Sequence, residues 1–325
     1  MDPLEQPRTD VPPTSIASPA NPYSGKWLRA AQTLLFAVDG GIARITLNRP
    51  ERRNALSTQS LIELRDALLE ADDLNAVRCV ILEGAGKDFC AGYDIGANST
   101  YERQVQTEAG GPASGESSPY RTEGGAASFD DDSWVLERWH ELKITIFDLH
   151  KPVIAKLHGN CLAGGTDIAL LCDLIIAAAD ARIGYPATRA QGAPLNNMWL
   201  YHLGPQWAKR LTLTGDSIRG RDAERLGLVL RAVPATRLDA EVNELARRLA
   251  AIDADLLAAN KRIINQGLEL MGARTLQRMA HESDARAHLA KARSGFRKDV
   301  ATFGLKEALK RRDAPFGDGE VHFDP

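Results

Sequence analysis

The chain has 325 residues, a formal net charge of −3 and 44% hydrophobic residues, enough to build one large core. That charge argues against a general nucleic-acid binder, and the longest apolar run, Ile168 to Ala179, is interrupted by Asp173 and too short to span a bilayer. Cys79, Cys90, Cys161 and Cys172 lack C-x-x-C spacing and read as reduced thiols of a cytoplasmic protein, not as bridges or metal ligands.

Residues 1–30 carry Pro3, Pro7, Pro12, Pro13, Pro19 and Pro22 among polar residues and read as a disordered tail without the pattern of a secretory signal. Asp39-Gly40-Gly41-Ile42 predicts a hairpin turn between strands at Leu34–Val38 and Ile42–Leu47. A helix over about 58–72 follows, with Leu61, Ile62, Leu64, Leu68 and Leu69 on one face. Strands near 78–84, 153–158 and 174–178 alternate with helical segments, which implies parallel β-units joined by crossovers. From about residue 205 the pattern is almost wholly helical, over 206–213, 220–226, 237–252, 254–270, 274–291 and 295–310.

Two glycine-centred segments, Cys90-Ala91-Gly92-Tyr93-Asp94-Ile95-Gly96 and Gly159-Asn160-Cys161-Leu162-Ala163-Gly164-Gly165-Thr166-Asp167, each sit where a strand gives way to a helix. A helix start presents unpaired N–H groups at the positive end of its dipole, a natural seat for an oxyanion. Either segment alone is better explained by glycine's tolerance of positive φ.

Together, and in this order, they resemble the crotonase superfamily, the enoyl-CoA hydratase/isomerase family. The resemblance extends over Ile45-Thr46-Leu47-Asn48-Arg49-Pro50, Asn54-Ala55-Leu56, Val80-Ile81-Leu82-Glu83-Gly84 and Phe89-Cys90-Ala91-Gly92-Tyr93-Asp94-Ile95. It continues through Lys151-Pro152-Val153-Ile154-Ala155, Cys172-Asp173-Leu174-Ile175-Ile176-Ala177, Leu213-Thr214-Gly215-Asp216 and Ala223-Glu224-Arg225-Leu226-Gly227-Leu228-Val229. It implies an α/β fold of the crotonase (ClpP/crotonase-like) type. A spiral of ββα units over 31–235 would carry an inserted loop at about 97–133, followed by a helical trimerisation region over 236–325. It further implies a homotrimer or hexamer of lipid metabolism acting on acyl-CoA, with no tightly bound cofactor, coenzyme A being part of the substrate. Neither a nucleic acid nor a membrane is an expected partner.

Carried over by motif, the oxyanion amides would belong to Tyr93 and Gly164, the Tyr93 ring lining the acyl pocket or folding away. The first hydratase glutamate corresponds to Asp167, which acts as a base or merely complements the helix dipole. The second corresponds to Ala187, after Gly184-Tyr185-Pro186, and a methyl group cannot move a proton. Ordinary hydration is thereby put in doubt, and isomerisation or C–C cleavage through a thioester enolate is favoured. A hydratase with a substitute acid and a non-catalytic acyl-CoA binder remain the alternatives. Arg189 could orient a substrate carboxylate or serve as an ion-pair partner, and Tyr185 and His202 are further candidates that core or surface packing explains adequately.

The insertion, rich in Gly, Ser and Ala, reads as disordered, or as a lid that could supply an acid; Asp130-Asp131-Asp132 reads as an N-cap cluster before a helix starting near Trp134. Coenzyme A would lie against Arg52, Arg53 and Ala55 and along Ala91, Asp94 and Ile95, with Lys310 of the basic run Lys310-Arg311-Arg312 reaching its phosphates, though either basic group reads equally as a solvated face. No P-loop, dinucleotide fingerprint, nucleophile elbow or H-E-x-x-H competes.

Overall fold

The computed structural model describes residues 23–95 and 128–323. Most of the proline-rich tail and the insertion up to residue 127 therefore lie outside the described residues. Residues 23–30, expected to belong to the disordered tail, are instead tied down. Glu70 accepts from the Tyr23 hydroxyl at 2.8 Å and from the Trp27 and Leu28 amides at 2.7 and 3.2 Å.

The hairpin forms as expected. Strands β1 (Leu34–Asp39) and β2 (Ile42–Leu47) pair antiparallel, and Gly40 and Gly41 supply the two positive φ angles, 54° and 80°, that the turn requires. The chain then makes helix α1 (Thr58–Asp73), capped by the Ser57 hydroxyl on the Ser60 amide, and buries Leu61, Leu64, Leu68 and Ala71. Strand β3 (Cys79–Gly84) pairs parallel to β2 and is buried along its whole length. Helix α2 (Phe129–Asp148) begins earlier than the pattern near Trp134 suggested. Ser128 and Asp131 close a reciprocal capping box there.

Strands β4 (Val153–Leu157), β6 (Leu174–Ala178) and β9 (Arg231–Val233) extend the first sheet in the order β1-β2-β3-β4-β6-β9. Strands β5 (Asn160–Leu162), β7 (Arg182–Gly184) and β8 (Ser217–Arg219) make the second sheet. Each strand pair of the spiral thus contributes one strand to either sheet: β4 turns into β5, and β6 into β7. The first turn passes through Gly159 (φ 56°), where a Cβ would stand 1.9 Å from the Lys87 carbonyl oxygen. The short helix α3 (Gly164–Ala169) follows β5 and is wholly buried.

The C-terminal half contains α4 (Trp199–Thr214), α5 (Gly220–Leu226), α6 (Leu238–Ala250), α7 (Ala254–Leu270), α8 (Ala273–Ala287), α9 (Lys291–Phe303) and α10 (Leu305–Asp313). The single helix expected over 295–310 is broken at Gly304 (φ 78°, ψ 159°), and α4 is kinked at Gly204-Pro205. The strands β8 and β9 fall in the gaps between the expected helices, at 214–219 and 227–236, and are too short to show an alternating pattern.

The region from 236 onward does not stand apart from the spiral. Helix α6 packs its buried Leu238, Val242 and Ala246 on the first sheet, α8 packs on α2, and Val321 pairs back to Ser217. Helix α7 is pinned by Lys261, a buried ammonium that donates to the carbonyls of Ile146 and Lys151 and to Asp173 Oδ2 at 2.8 Å. Burial pushes the Asp173 carboxyl up, and Lys261 opposes that push. Removing one member of such a pair leaves the other charge stranded, typically costing ~3–5 kcal/mol. Lys261→Met is expected to lose about that much stability, read as a lower urea midpoint at unchanged m-value.

Candidate active site

The site is assembled by one stretch of irregular backbone running beside another. Cys90 N–H donates to the Asn160 carbonyl at 2.9 Å and Leu162 N–H to the Cys90 carbonyl at 3.0 Å, a parallel bridge between Cys90 and Cys161. Three residues further on in both strands stand Tyr93 and Gly164. On its other side the first segment is held by Leu56, whose N–H donates to Gly92 and whose carbonyl accepts from Asp94. Those two bonds use the backbone groups flanking Tyr93 and turn its own N–H away from Leu56. Among the described residues, neither the Tyr93 N–H nor the Gly164 N–H has a hydrogen-bond partner. A Cβ placed on Gly92 would lie 3.6 Å from the Gly164 nitrogen, so the two segments are in contact. Between them Ala163 holds φ 48° and ψ −117°, a conformation that ordinarily costs ~1–3 kcal/mol and that sets the start of α3. Gly165 then lets α3 lie against Cys90, because a Cβ there would stand 2.6 Å from the Cys90 carbonyl oxygen.

The Tyr93 ring lines the cavity, stacks on Trp139 at 5.3 Å between centroids and lies over Gly164, where a Cβ would come within 3.0 Å of it. Its hydroxyl donates to Asp167 Oδ2 at 2.8 Å and accepts from Lys143 Nζ at 2.5 Å. Lys143 and Asp167 are fully buried and 3.9 Å apart. Asp167 Oδ1 accepts the Asn196 N–H at 3.2 Å, and the Asn196 side-chain amide donates to the Asp167 carbonyl. Burial pushes the Asp167 carboxyl up and the Lys143 ammonium down, each opposed by its opposite charge across the pair. The Tyr93 phenol is driven well above its ordinary value, by burial first and then by Asp167. Asp167 does not itself line the cavity; Tyr93 stands between the carboxylate and the space.

That space is a cavity of about 890 Å³. Arg52, Arg53, Ala55, Ala91, Tyr93, Asp94 and Ile95 line it, as the motif reading expected, and so does Ala187. Lys310 is exposed and off the lining, while Lys306 and Arg312 of the same helix are on it. Asp94 is engaged by Arg49 at 2.8 Å. Arg189 is occupied by Asp216 and Asp313 and lies over the Phe316 ring, which favours the ion-pair reading over a substrate clamp. Tyr185 donates to the Ala193 carbonyl from the cavity wall, and His202 is half-buried and off the lining, with a ring nitrogen 3.1 Å from the Leu170 carbonyl. Of the acidic triplet, Asp131 makes the cap, whereas Asp132 pairs with His288 at 2.5 Å.

Sequence reasoning missed Lys143, Asn196, Asp284 and His288. Two of them left a trace: Lys143 shares a helix face with Leu136, Trp139 and Phe147, and Asp284 shares one with Gln277, Ala280 and His281. A charged residue on a stripe destined for the interior is a signal that it has a buried partner.

The chain is similar to known proteins in sequence and in fold. The family described as enoyl-CoA hydratase/isomerase matches residues 37–118 and 120–312. A Mycobacterium tuberculosis protein carrying the name of an enoyl-CoA hydratase, EchA13, is 36% identical over 254 residues, 72% of this chain and 73% of its own length. The crotonyl-CoA hydratase of Syntrophomonas wolfei is 30% identical over 244 residues, 74% of this chain and 84% of its own. The crystal structure of an enoyl-CoA hydratase from Mycobacterium smegmatis superposes with a TM-score of 0.79 at 34% identity, covering 88% of this chain and 95% of that one.

The close approach of α3 to the first segment is directly testable. Gly165→Ala is expected to force the two apart, lowering stability by ~1–3 kcal/mol through overpacking. A drop in melting temperature together with a fall in turnover, in a chain of native far-UV dichroism, would be the outcome.

Proposed function

Because this chain belongs to the enoyl-CoA hydratase/isomerase family, we propose that it converts an acyl-CoA thioester through an enolate, by isomerisation or C–C cleavage, in preference to simple hydration. In this reading the thioester oxygen takes hydrogen bonds from the Tyr93 and Gly164 amides. Losing one such donor typically costs ~2.7–4 kcal/mol of transition-state stabilisation. The pantetheine and nucleotide follow Ala91, Asp94, Ile95 and Ala55 outward, with Arg52, Arg53, Lys306 and Arg312 as the cations nearest the phosphates.

The observation that carries the preference is the pairing of Ala187 with an Asp167 that Tyr93 shields from the cavity. Syn addition of water needs two proton-transfer groups flanking that water, and those two positions hold a methyl group and a buried carboxylate. The same arrangement suits a relay. The phenol receives a proton from the substrate α-carbon as it hands its own to Asp167 Oδ2, and the Lys143 ammonium offsets the negative charge passing over the phenol oxygen. A carboxyl raised by burial is the stronger base for that step.

Assembly into trimers or hexamers belongs to the same proposal. It is supported by apolar side chains that α7 and its junction with α8 leave to solvent, among them Ile263, Ile264, Leu270 and Met271.

Incubating α,β- and β,γ-unsaturated acyl-CoA thioesters with the protein in deuterated water tests the enolate. Deuterium at the α-carbon without the mass of added water is the expected outcome, and Tyr93→Phe should slow that exchange by roughly 10²–10⁴-fold. Water addition as the main reaction of the wild-type protein would defeat this reading.

A further inference from the structure

The cavity has a second buried carboxylate that the family motifs do not point to. Asp284, on α8, is 4% exposed and lines the space. Its Oδ1 accepts the Ala193 N–H at 2.7 Å; its Oδ2 takes no hydrogen bond among the described residues, yet is not sealed from the cavity. The room for it is made by Gly192, where a Cβ would stand 2.1 Å from Asp284 Oδ1. Gly192 and Gln191 donate their N–H groups to the Ala187 carbonyl, so the short loop that begins at Ala187 ends on Asp284. One turn along α8, His288 Nε2 lies 3.4 Å from Asp284 Oδ1, and its Nδ1 lies 2.5 Å from Asp132 Oδ2. Arg293 of α9 approaches the same Asp132 at 3.9 Å. Accepting one amide hydrogen bond does not need an ionisable group, and an ionised carboxylate with one oxygen unpaired is expensive to bury. The arrangement suits a carboxyl that carries a proton in part of the cycle.

We propose that Asp284 is the second proton-transfer residue of this site, seated by Gly192 and Ala193 and positioned by the Asp132–His288 pair, in place of the carboxylate that position 187 lacks. The proposal rests on the enolate reading above. For a β,γ-unsaturated acyl-CoA, the α C–H bond breaks and its proton passes through Tyr93 to Asp167. The electron pair spreads from the thioester enolate over the alkene. The Asp284 carboxyl gives its proton to the γ-carbon, the double bond settles between the α- and β-carbons, Asp284 recovers a proton from solvent, and Asp167 passes its proton back to Tyr93 as the phenol releases one to solvent. One C–H bond is broken and one made, with no net redox change.

Burial pushes Asp284 up to about 6, with His288, the Ala193 amide and Arg293 pulling it down and Asp167 adding to the rise. The groups facing it are His288 on its own helix, Asp132 and Lys143 from α2, Asp167 from α3, Arg293 from α9, and Tyr93 and Tyr185 from the walls. Since the acid form is the donor, double-bond migration from β,γ to α,β falls as pH rises through about 6.

The experiment uses the full-length protein with 3-octenoyl-CoA in deuterated buffer, following α-deuterium by mass spectrometry and migration by absorbance. Asp284→Asn is expected to cut migration about 100-fold or more while α-deuterium uptake persists, and to remove the fall near pH 6. Gly192→Ala, which displaces the flexible carboxylate without altering it, should reproduce that split in a folded protein. His288→Gln should move the pH limb upward instead of abolishing it. A wild-type protein without α-exchange defeats the enolate reading, and this proposal with it. A wild-type protein that exchanges but does not migrate the double bond, or an Asp284→Asn protein that does both at the wild-type rate, overturns the role of Asp284 alone.

Discussion

Two hydrogen bonds, Cys90 N–H to the Asn160 carbonyl and Leu162 N–H to the Cys90 carbonyl, fix the distance and register between the two irregular segments. Everything reactive is measured from that pairing. Moving either strand by one residue would replace Tyr93 or Gly164 as neighbours across the gap and would turn the wrong backbone groups toward it. The pairing is itself held from outside by Asn54, whose side chain donates to the Ala85 and Asp88 carbonyls, and by Asp88, which accepts from Asn160. The motif residues Asn48 to Leu56 are therefore a frame for the 90–93 segment as well as part of the cavity lining, through Arg52, Arg53 and Ala55.

Around this frame the molecule buries charged side chains in two sets. Lys143, Tyr93 and Asp167 form one chain of contacts, and Lys261 with Asp173 another. Each burial is costly unless every member is satisfied, and these members come from elements far apart in sequence. The first set cannot form until α2 has packed beside α3. The second ties α7 to the starts of β4 and β6. Helices α8, α9 and α10 then complete the cavity wall through Asp284, Arg293, Leu305, Lys306 and Arg312. The C-terminal helices are a wall of the cavity, so the spiral alone would leave the site open.

Local patterns in the sequence read well where structure is decided locally. The Asp39–Ile42 turn, the α1 stripe and the parallel strands at 79–84, 153–157 and 174–178 were all visible, because alternation and turn chemistry act over a few residues. The Gly304 break and the short strands β8 and β9 were not, since three residues carry no period. The site divided in the same way. The cavity lining by Arg52, Arg53, Ala55, Ala91, Tyr93, Asp94 and Ile95 was within reach of the family resemblance, whereas Gly164 lies under the Tyr93 ring and off the lining. Lys143, Asn196 and Asp284 take their positions from tertiary packing, and only an out-of-place charge on an apolar helix face hinted at two of them.

Tyr93 shows why these features belong together. Its main-chain N–H and its phenol reach the site by different routes, one set by strand register and the other by the ring's packing between Gly164 and Trp139. The ring can occupy that place only because residue 164 has no side chain, and its hydroxyl can bridge only because a lysine and an aspartate are buried on either side of it. Gly192 does for Asp284 what Gly164 does for Tyr93: each missing Cβ admits a polar group to the cavity wall. Where position 187 offers a methyl group, the polar groups come from residues 93 and 284, which a reading confined to the two motif carboxylate positions would not consult.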